Sequence, residues 1–157
     1  MDSQSGYKRG FYFEEFTVGQ EIITTGRTIT ESDVVGFAGM SGDYNQLHTD
    51  AEFSKSTPFG QRVAHGLLVL SIASGLAMRT GILEGTALAF REINTWKFSQ
   101  PVYIGDTIHV NLNVIETKSI PRLGGGNVII DVSVKNQRDE TTMKGSWTVL
   151  VASRPAL

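Results

Sequence analysis

The chain has 157 residues, and its 14 basic residues nearly balance its 16 acidic ones, giving a formal net charge of -2. This balance argues against a nucleic-acid partner, because such proteins carry a concentrated positive charge. The absence of cysteine excludes a disulfide framework, a thiolate nucleophile and a cysteine-ligated metal. The length predicts a single domain over 11–157, preceded by a flexible, polar arm at 1–10.

The N-terminus lacks the basic-then-apolar order of a secretory signal. The longest uncharged apolar run extends from Leu67 to Met78, whereas a membrane-spanning helix needs about 20 such residues. We therefore expect a cytoplasmic protein with no membrane partner, and we assign the apolar run to a protein core.

The first predicted elements are an aromatic cluster, a strand and a helix. The aromatic residues at 11–16 should dock onto the domain, and a concentration of β-branched residues predicts a strand over 21–29. Thr30 to Asp33 has the form of a capping box, so a helix should open at Thr30. Gly39 and Gly42 are expected to break this helix.

A loop, a short helix and a long central helix are predicted next. The loop covers Asp43 to His48, and Asp50 should cap a short helix that runs through Phe53. Gly66 to about Leu83 contains no proline and has no clean polar face, which is typical of a helix covered nearly all round. Gly85 is expected to end it.

After the central helix the hydrophobic period changes to two, which indicates strands. Four strands are predicted, at 87–98, 107–117, 128–137 and 141–152. Strands joined in sequence by short turns should pair antiparallel. The order of elements therefore predicts an α+β fold in which a curved antiparallel sheet is wrapped around a long central helix.

Asp43 and His48 are the residues that most strongly indicate chemistry. A carboxylate and an imidazole can divide the roles of proton acceptor and proton donor when both face one water molecule, as addition and elimination reactions require. Two structural interpretations compete with this hypothesis. Asp43 and Asn45 could simply form an Asx-turn, and His48 could be a capping or surface residue.

His65 and Gly66 lie where the central helix is expected to begin. The first turn of a helix has unpaired N–H groups and a partial positive charge, and glycine leaves room for a carbonyl group to approach them. A developing enolate oxygen would fit there. The competing interpretation is that His65 ends a loop and Gly66 eases the entry into the helix.

Four segments of the chain match the motifs of one known family in the same order. Gly42 to His48 is similar to the hydratase motif Gly-Asp-x-Asn-Pro-x-His, and His65 to Leu68 is similar to the helix start His-Gly-(Met/Leu)-Leu. Phe98 to Asp106 resembles the turn Phe-x-x-Pro-Val-x-x-Gly-Asp, and Phe16 to Gln20 resembles an opening segment. Most of the chain thus resembles the MaoC-like dehydratases, which include the (R)-specific enoyl-CoA hydratases and have the hot-dog fold.

The resemblance implies a hydro-lyase that adds water reversibly across the double bond of a trans-2-enoyl-CoA and gives an (R)-3-hydroxyacyl-CoA. Asp43 and His48 would be the catalytic pair that holds the water, and which of them is the formal base stays open. The Gly66 N–H would bind the thioester oxygen. The CoA thioester is the substrate, and no separate cofactor is expected.

Three further residues are assigned to the site by the resemblance. Asn45 would orient the loop or the water, and His65 is placed with Gly66 among the substrate-binding residues. Ser74, eight residues beyond Gly66, would support the catalytic aspartate. The alternative for Ser74 is a small residue that allows close helix packing.

Gln46 occupies the position at which the family motif has proline. Proline would fix its own φ and bias Asn45 towards extended geometry, so its absence leaves the segment less constrained by local chemistry. Gln46 could either face solvent or offer its amide to a polar acyl group.

The remaining candidates carry weaker predictions. Gly124 to Gly126 lacks the lysine of a phosphate-binding loop, so we expect a flexible hairpin that borders the substrate tunnel. Arg122 could meet a CoA phosphate or remain solvated. His109 should face solvent on its strand. Three histidines separated in sequence do not have the spacing typical of a metal site, and none is expected.

A homodimer is expected, because a sheet wrapped around one helix leaves edges that a second copy can cover. Two other functions compete with hydration. A hot-dog thioesterase would release free CoA thiol. A non-catalytic acyl-CoA-binding module would have the fold without turnover, and its only support is the missing motif proline at Gln46.

Overall fold

The computed structural model describes residues 9–156. Positions 1–8 of the predicted arm at 1–10 lie outside the described residues. The helices are α1 Glu31–Ser41, α2 Gln46–Thr49, α3 Ala51–Lys55 and α4 Gly66–Arg79, and the strands are β1 Glu21–Ile23, β2 Arg27–Thr28, β3 Ala87–Phe98, β4 Thr107–Ile120, β5 Gly125–Lys135 and β6 Thr141–Ala152. Short 3-10 helices occupy Phe13–Glu15 and Pro121–Leu123.

The strands form one antiparallel system in the order β1–β4–β5–β6–β3, and β2 also pairs with β4. The helix α4 packs on this sheet, with Val69 and Ala73 fully buried in a core shared with β4, β5 and β6. The predicted α+β arrangement of an antiparallel sheet and a central helix is confirmed. One pairing differs from expectation, because β3 bonds to β6 and not to β4. The segment 99–106 carries the chain across the sheet, which leaves β3 at an edge.

The last two residues of the predicted arm, Arg9 and Gly10, are attached to the domain. The Arg9 guanidinium donates to the Glu15 carboxylate at 2.7 Å, and the Gly10 N–H donates to the Glu84 carbonyl at 2.7 Å. The aromatic cluster docks as predicted, since Phe16 is 5% exposed and meets the Phe11 ring edge-on at 5.5 Å.

The predicted strand over 21–29 is interrupted, which corrects the sequence prediction. Between Ile23 and Arg27 the chain advances four positions while the facing strand β4 advances three, so the first strand carries a bulge. At the bulge the Thr24 hydroxyl accepts a hydrogen bond from the Val110 N–H at 2.9 Å. A side chain here replaces a backbone acceptor, which the β-branched composition alone does not reveal.

The capping box at the start of α1 is confirmed. The Asp33 N–H donates to the Thr30 hydroxyl at 3.2 Å, and the Thr30 N–H donates to the Asp33 carboxylate at 2.8 Å. The helix continues through Gly39, where a break was predicted, and ends at Ser41. Gly42 follows in the left-handed conformation with φ of 78°, which glycine adopts at little cost.

The central helix α4 is shorter than predicted. It ends at Arg79 and not near Leu83, because Gly81 takes a left-handed φ of 80° and turns the chain four residues before Gly85. The short helix capped by Asp50 is confirmed, although it continues beyond Phe53. No α-helix among residues 9–156 is long and apolar enough to cross a membrane.

Within one protomer, α4 is not covered nearly all round as predicted, because one stripe of the helix is exposed. Leu67 is 61% exposed and Met78 is 42% exposed. Ser71 and Gly75, which follow Leu67 at helical spacing, are exposed as well. The helix therefore buries one face in its own domain and presents another face outward.

The glycine run at 124–126 is mostly part of the sheet and not a flexible hairpin. Gly125 and Gly126 open β5, three positions before the strand predicted at 128–137, and extend its pairing with β4 to Ile120. Both are buried, and a side chain at Gly125 would collide with the Val151 carbonyl. Close backbone approach explains these glycines, and they do not line the cavity described below.

Candidate active site

The segment after α1 contains two consecutive Asx-type turns. The Asn45 N–H donates to the Asp43 carboxylate at 3.2 Å, and the Leu47 N–H donates to the Asn45 side-chain oxygen at 3.0 Å. The second bond caps α2, so His48 lies on a short helix and not on the predicted loop. The Asx-turn that competed with a catalytic interpretation is therefore present, and it fixes the position of Asp43 relative to α2.

Gln46 is the first residue of α2 and is exposed. Asn45 is already extended, with φ of -52° and ψ of 137°. The capping bond of the Asn45 side chain thus accompanies the geometry that a following proline would favour. The structure agrees with the solvent-facing interpretation of Gln46, because this residue is not part of the cavity wall.

Asp43, His48 and His65 converge in space. Each contributes one polar side-chain atom to a group whose members all lie within 4.8 Å of one another. Asp43 is exposed, His48 is half-buried and His65 is buried. A water that bonds two groups at about 2.8 Å each can bridge atoms nearly this far apart. The fold thus brings together the carboxylate and the imidazole that were predicted to share one water.

The imidazole of His48 has a defined orientation and tautomer. Its Nδ1 lies 2.7 Å from the Val63 carbonyl. A carbonyl oxygen only accepts, so Nδ1 carries the hydrogen and Nε2 is the bare nitrogen of the neutral ring. The Val63 N–H in turn donates to the Leu47 carbonyl at 3.1 Å. These two bonds join α2 to the segment that leads into α4.

His65 contacts both members of the predicted catalytic pair. Its Nε2 lies 2.9 Å from the Asp43 carbonyl, and its ring stacks on that of His48 with centroids 3.8 Å apart. His65 is 2% exposed and does not line the cavity. The sequence-based assignment of His65 to direct substrate binding is therefore not supported within the described chain.

A cavity of about 640 Å³ opens beside this cluster. Its wall contains His48 and Gly66, and most of the rest is apolar. The remaining lining residues are Phe59, Val63, Ala64, Leu67, Val69, Phe98, Ser99, Gln100, Pro101, Val102 and Met143. A histidine and a helix start on one largely apolar wall are the features expected of a small-molecule site.

Gly66 is the first residue of α4, and the N-cap residue His65 makes no side-chain capping bond. The N–H groups of the first helical turn therefore remain available at the cavity wall. The Phe98 ring packs directly on Gly66, since a Cβ at this position would lie 2.8 Å from two of the ring carbons. The absence of a side chain at Gly66 thus allows this close contact with the Phe98 ring.

Ser74 and Asn45 lie away from the cavity wall. The Ser74 hydroxyl donates to the Ser71 carbonyl at 2.7 Å, and Ser74 borders a separate small apolar cavity. Among the hydrogen bonds of residues 9–156, none joins Ser74 to Asp43. The predicted support of the aspartate by Ser74 is thus not seen within one protomer. The Asn45 side chain caps α2, and its role in orienting the loop or a water stays a prediction.

The same cluster has the residue types of a metal site, because the fold brings His48 and His65 together although they are separated in sequence. Their contacts nevertheless disfavour chelation. His65 uses Nε2 on the Asp43 carbonyl, and the two rings stack with planes 27° apart. Stacked imidazoles direct their lone pairs side by side, whereas a metal needs them to converge at about 2.0–2.1 Å.

An ion pair lies next to the segment that carries His48. Arg62 forms a two-pronged ion pair with Glu31, with contacts of 2.9 and 2.7 Å, and its guanidinium lies 3.5 Å from the His48 carbonyl. The hydrogen bond from Arg62 lowers the pKa of Glu31. This pair ties the start of α1 to the segment that orients His48.

Two other predicted candidates lie outside the site. Arg122 is exposed on the 3-10 turn between β4 and β5. His109 lies on the outer side of β4, half-buried, with its Nε2 3.7 Å from Asp139. It alternates with fully buried Ile108 and Val110, as its strand position predicts.

Sequence reasoning missed the Val63 carbonyl and the Phe98 ring. A backbone acceptor gives no signal in the side-chain pattern, so the role of Val63 is visible only in three dimensions. Phe98 belongs to a recognised turn motif, but its contact with Gly66, 32 positions earlier, depends on the approach of β3 to α4.

Together, fold and site define a class of protein: an α+β domain in which an acid–imidazole pair lies beside the uncapped start of a central helix. Residues 14–137 match the family described as MaoC like domain. The chain belongs to this family.

Relatives of known name agree with this membership. The chain is 36% identical over 146 residues to a 3-hydroxybutyryl-CoA dehydratase of Methylorubrum extorquens, covering 93% of this chain and 87% of that protein. It is 36% identical over 103 residues to an (R)-specific enoyl-CoA hydratase of Rhodospirillum rubrum, covering 66% and 69%. The match to Protein MaoC of Klebsiella aerogenes, 40% identical over 101 residues, spans 64% of this chain and only 30% of that protein.

Solved structures have the same architecture. A monoamine oxidase regulatory protein from Archaeoglobus fulgidus superposes with a TM-score of 0.87 at 38% identity, over 94% of this chain and 98% of that one. The R-hydratase PhaJ1 from Pseudomonas aeruginosa gives 0.76 at 30% identity, over 92% and 88%. A Mycobacterium tuberculosis protein described as a double hotdog fold gives 0.82 at 18% identity, over 94% and 46%. The hot-dog fold is thereby confirmed.

Proposed function

We propose that this protein is a hydro-lyase that adds water reversibly to a trans-2-enoyl-CoA and forms an (R)-3-hydroxyacyl-CoA. The observation that carries the proposal is that the Asp43 carboxylate converges with the His48 imidazole, which lines a cavity whose wall also contains the start of α4. The names of the hydratase and dehydratase relatives support the reaction type.

The proposed roles follow from the bonding of each group. With Nδ1 committed to Val63, the bare Nε2 of His48 can accept a proton, and the Asp43 carboxylate can accept a second hydrogen bond from the same water. The water oxygen adds to C3, and the proton returns to C2. Charge that develops on the thioester oxygen is stabilised by the N–H groups at Gly66 and by the helix dipole.

Hydration is tested by mixing the protein with crotonyl-CoA and longer trans-2-enoyl-CoA substrates and following the absorbance of the conjugated thioester. The configuration of the product is then determined by chiral analysis. Thiol titration separates hydration from thioester hydrolysis, because only hydrolysis releases free CoA. If no enoyl-CoA of any chain length is hydrated, the proposal fails.

Variants of the site provide the control for that assay. Asp43→Asn and His48→Gln should each reduce kcat/KM by about 10² to 10⁴ with a modest change in substrate binding. The chain offers a matched pair outside the cavity, His109 with Asp139. Asp139→Asn and His109→Gln replace the same residue types and should leave the rate unchanged.

We further propose that the protein acts as a homodimer joined through β3 and the outer stripe of α4. The supporting observation is an exposed apolar surface on an edge strand, with Leu88 51%, Phe90 53% and Ile93 42% exposed. Leu67 and Phe98, which line the cavity, are also exposed. A second copy would cover this surface and complete the cavity rim.

Analytical ultracentrifugation tests the dimer. Leu88→Lys places a charge on the proposed interface and should shift the mass to that of a monomer, with loss of activity. Ile115→Lys changes an apolar residue that is 40% exposed on β4 and should leave the mass unchanged. A wild-type mass equal to that of one chain would contradict the proposal.

A further inference from the structure

His65 combines features that packing alone does not explain. It is 2% exposed, yet its Nδ1 is buried without a hydrogen-bond partner among the described residues. Burying an unpaired polar atom costs stability. The unpaired Nδ1 therefore points to a role of the imidazole beyond the filling of space.

The two stacked imidazoles have opposite tautomers. His65 must carry its hydrogen on Nε2, because that atom bonds the Asp43 carbonyl, which only accepts. His48 must carry its hydrogen on Nδ1, which bonds the Val63 carbonyl. The bare Nε2 of His48 is the nitrogen that the proposed hydration uses, so its tautomer and ring plane decide whether the site is competent.

The His65 ring also contacts Phe37 on α1, with ring centroids 4.8 Å apart and ring planes 57° apart. Phe37, His65 and His48 therefore form a connected ring cluster that links α1 to the cavity wall. Within it, His65 fixes the plane of His48 by stacking and holds the main chain of Asp43 by a hydrogen bond. Gly66 follows His65 directly, so the same residue also sets the start of α4.

We infer that His65 is a positioning residue that holds the His48 ring and the Asp43 backbone in one working arrangement, without touching substrate. This rests on the proposed hydration for its kinetic consequence, but the arrangement itself exists in the free protein. The sequence interpretation of His65 as a substrate-binding residue predicts a different result, since it would act chiefly on KM.

The first test is kinetic. His65→Phe keeps an aromatic ring and removes the bond to Asp43, and it should lower kcat by about 10- to 100-fold, the scale expected for misplaced catalytic groups, with KM changed less than about threefold. His65→Gln keeps a donor and removes the stack, and it should be affected in the same direction. Phe37→Leu removes the ring contact between Phe37 and His65 and should show a smaller loss of kcat. This variant preserves the test if the His65 variants do not fold.

The second test is nuclear magnetic resonance of the imidazole nitrogens in the free protein. The chain has only three histidines, and His109→Phe, on the outer side of β4, identifies the remote one without altering activity. Wild-type protein should show His48 as the Nδ1–H tautomer and His65 as the Nε2–H tautomer. In His65→Gln, which removes the stacked ring, or in Phe37→Leu if that protein is not obtained, the His48 ring should turn away from the Val63 carbonyl part of the time, so His48 should become a mixture of tautomers.

The outcomes separate the two proposals. If wild-type protein hydrates no enoyl-CoA, the proposed function fails, and the tautomer of His48 still decides the role of His65. An unchanged His48 tautomer in the variants would overturn the positioning role. A change in KM alone, with kcat retained, would overturn it as well and would restore His65 as a substrate-binding residue.

Discussion

Gly66→Ala tests the proposed binding of the thioester oxygen at the start of α4. The added methyl group would lie 2.8 Å from two ring carbons of Phe98. Ordinary carbon contacts begin near 3.5 Å, so the ring must retreat by roughly 0.7 Å. Phe98 is 54% exposed, which gives it room to rotate. Gly66 has no positive φ, so alanine fits the backbone.

The expected effect on stability is small, because relief of the Phe98 contact is offset by the better helix propensity of alanine, roughly 0.5–1 kcal/mol. We expect the free energy of unfolding to change by less than about 1 kcal/mol. The effect on catalysis should be large. The methyl group occupies the space through which a carbonyl reaches the helical N–H groups, and loss of such a donor costs about 10²–10³ in kcat.

Urea unfolding and enoyl-CoA hydration kinetics measure the two effects separately. Gly36→Ala is the matched control, because Gly36 lies in α1 with nothing within 4 Å of its added Cβ. It should raise stability by about 0.5–1 kcal/mol through helix propensity and leave kcat/KM unchanged. If Gly66→Ala retains kcat/KM within about threefold of wild type while remaining folded, the thioester oxygen does not bind at Gly66.

Three further predictions concern stability. Gln46→Pro should raise the free energy of unfolding by about 0.4–1 kcal/mol in urea titrations, because proline fits the first position of a helix and restricts the unfolded chain; a loss would show that the backbone there does not fit proline. Gly125→Ala should lower the free energy of unfolding by more than about 3 kcal/mol, or prevent folding, because the added methyl group would collide with the Val151 carbonyl. A melting temperature equal to that of the wild-type protein would contradict that contact. The hydrogen bond from Arg27 lowers the pKa of Asp33 to about 2. The ionised Asp33 carboxylate therefore contributes its full stabilisation of the folded state above about pH 4, and this contribution disappears as the pH falls through about 2. Asp33→Asn should therefore cost about 1 kcal/mol at pH 7 and progressively less under acid, and an equal cost at all pH values would refute the assignment.

Local signals predicted elements well where the chain itself satisfies them. The capping box at Thr30 and the cap at Asp50 depend on neighbouring residues, and both are observed. The strands β3 and β6 occupy the predicted ranges 87–98 and 141–152. The prediction over 21–29 failed because the Thr24 hydroxyl joins the ladder of a strand 86 positions away. No local pattern encodes that partner.

The end of α4 shows the same limit. Apolar residues return after Arg79 at Ile82 and Leu83, so periodicity favours a longer helix. Gly81 nevertheless turns the chain, and the Ile82 carbonyl accepts a hydrogen bond from the Phe11 N–H. The exposed stripe of α4 was missed for a related reason. A leucine on the outward face of a helix is predicted to be a core residue unless the position of the sheet is known.

By itself, the sequence determined the fold class, the family and the two catalytic candidates, because Asp43 and His48 lie five positions apart and a short segment keeps them together. Only the tertiary structure placed His65 between them, gave the His48 ring its acceptor at Val63 and set Phe98 over Gly66. Those contacts join segments distant in the chain. They exist because α1, α2 and the start of α4 pack together, and packing is decided by the whole domain, not by any one motif.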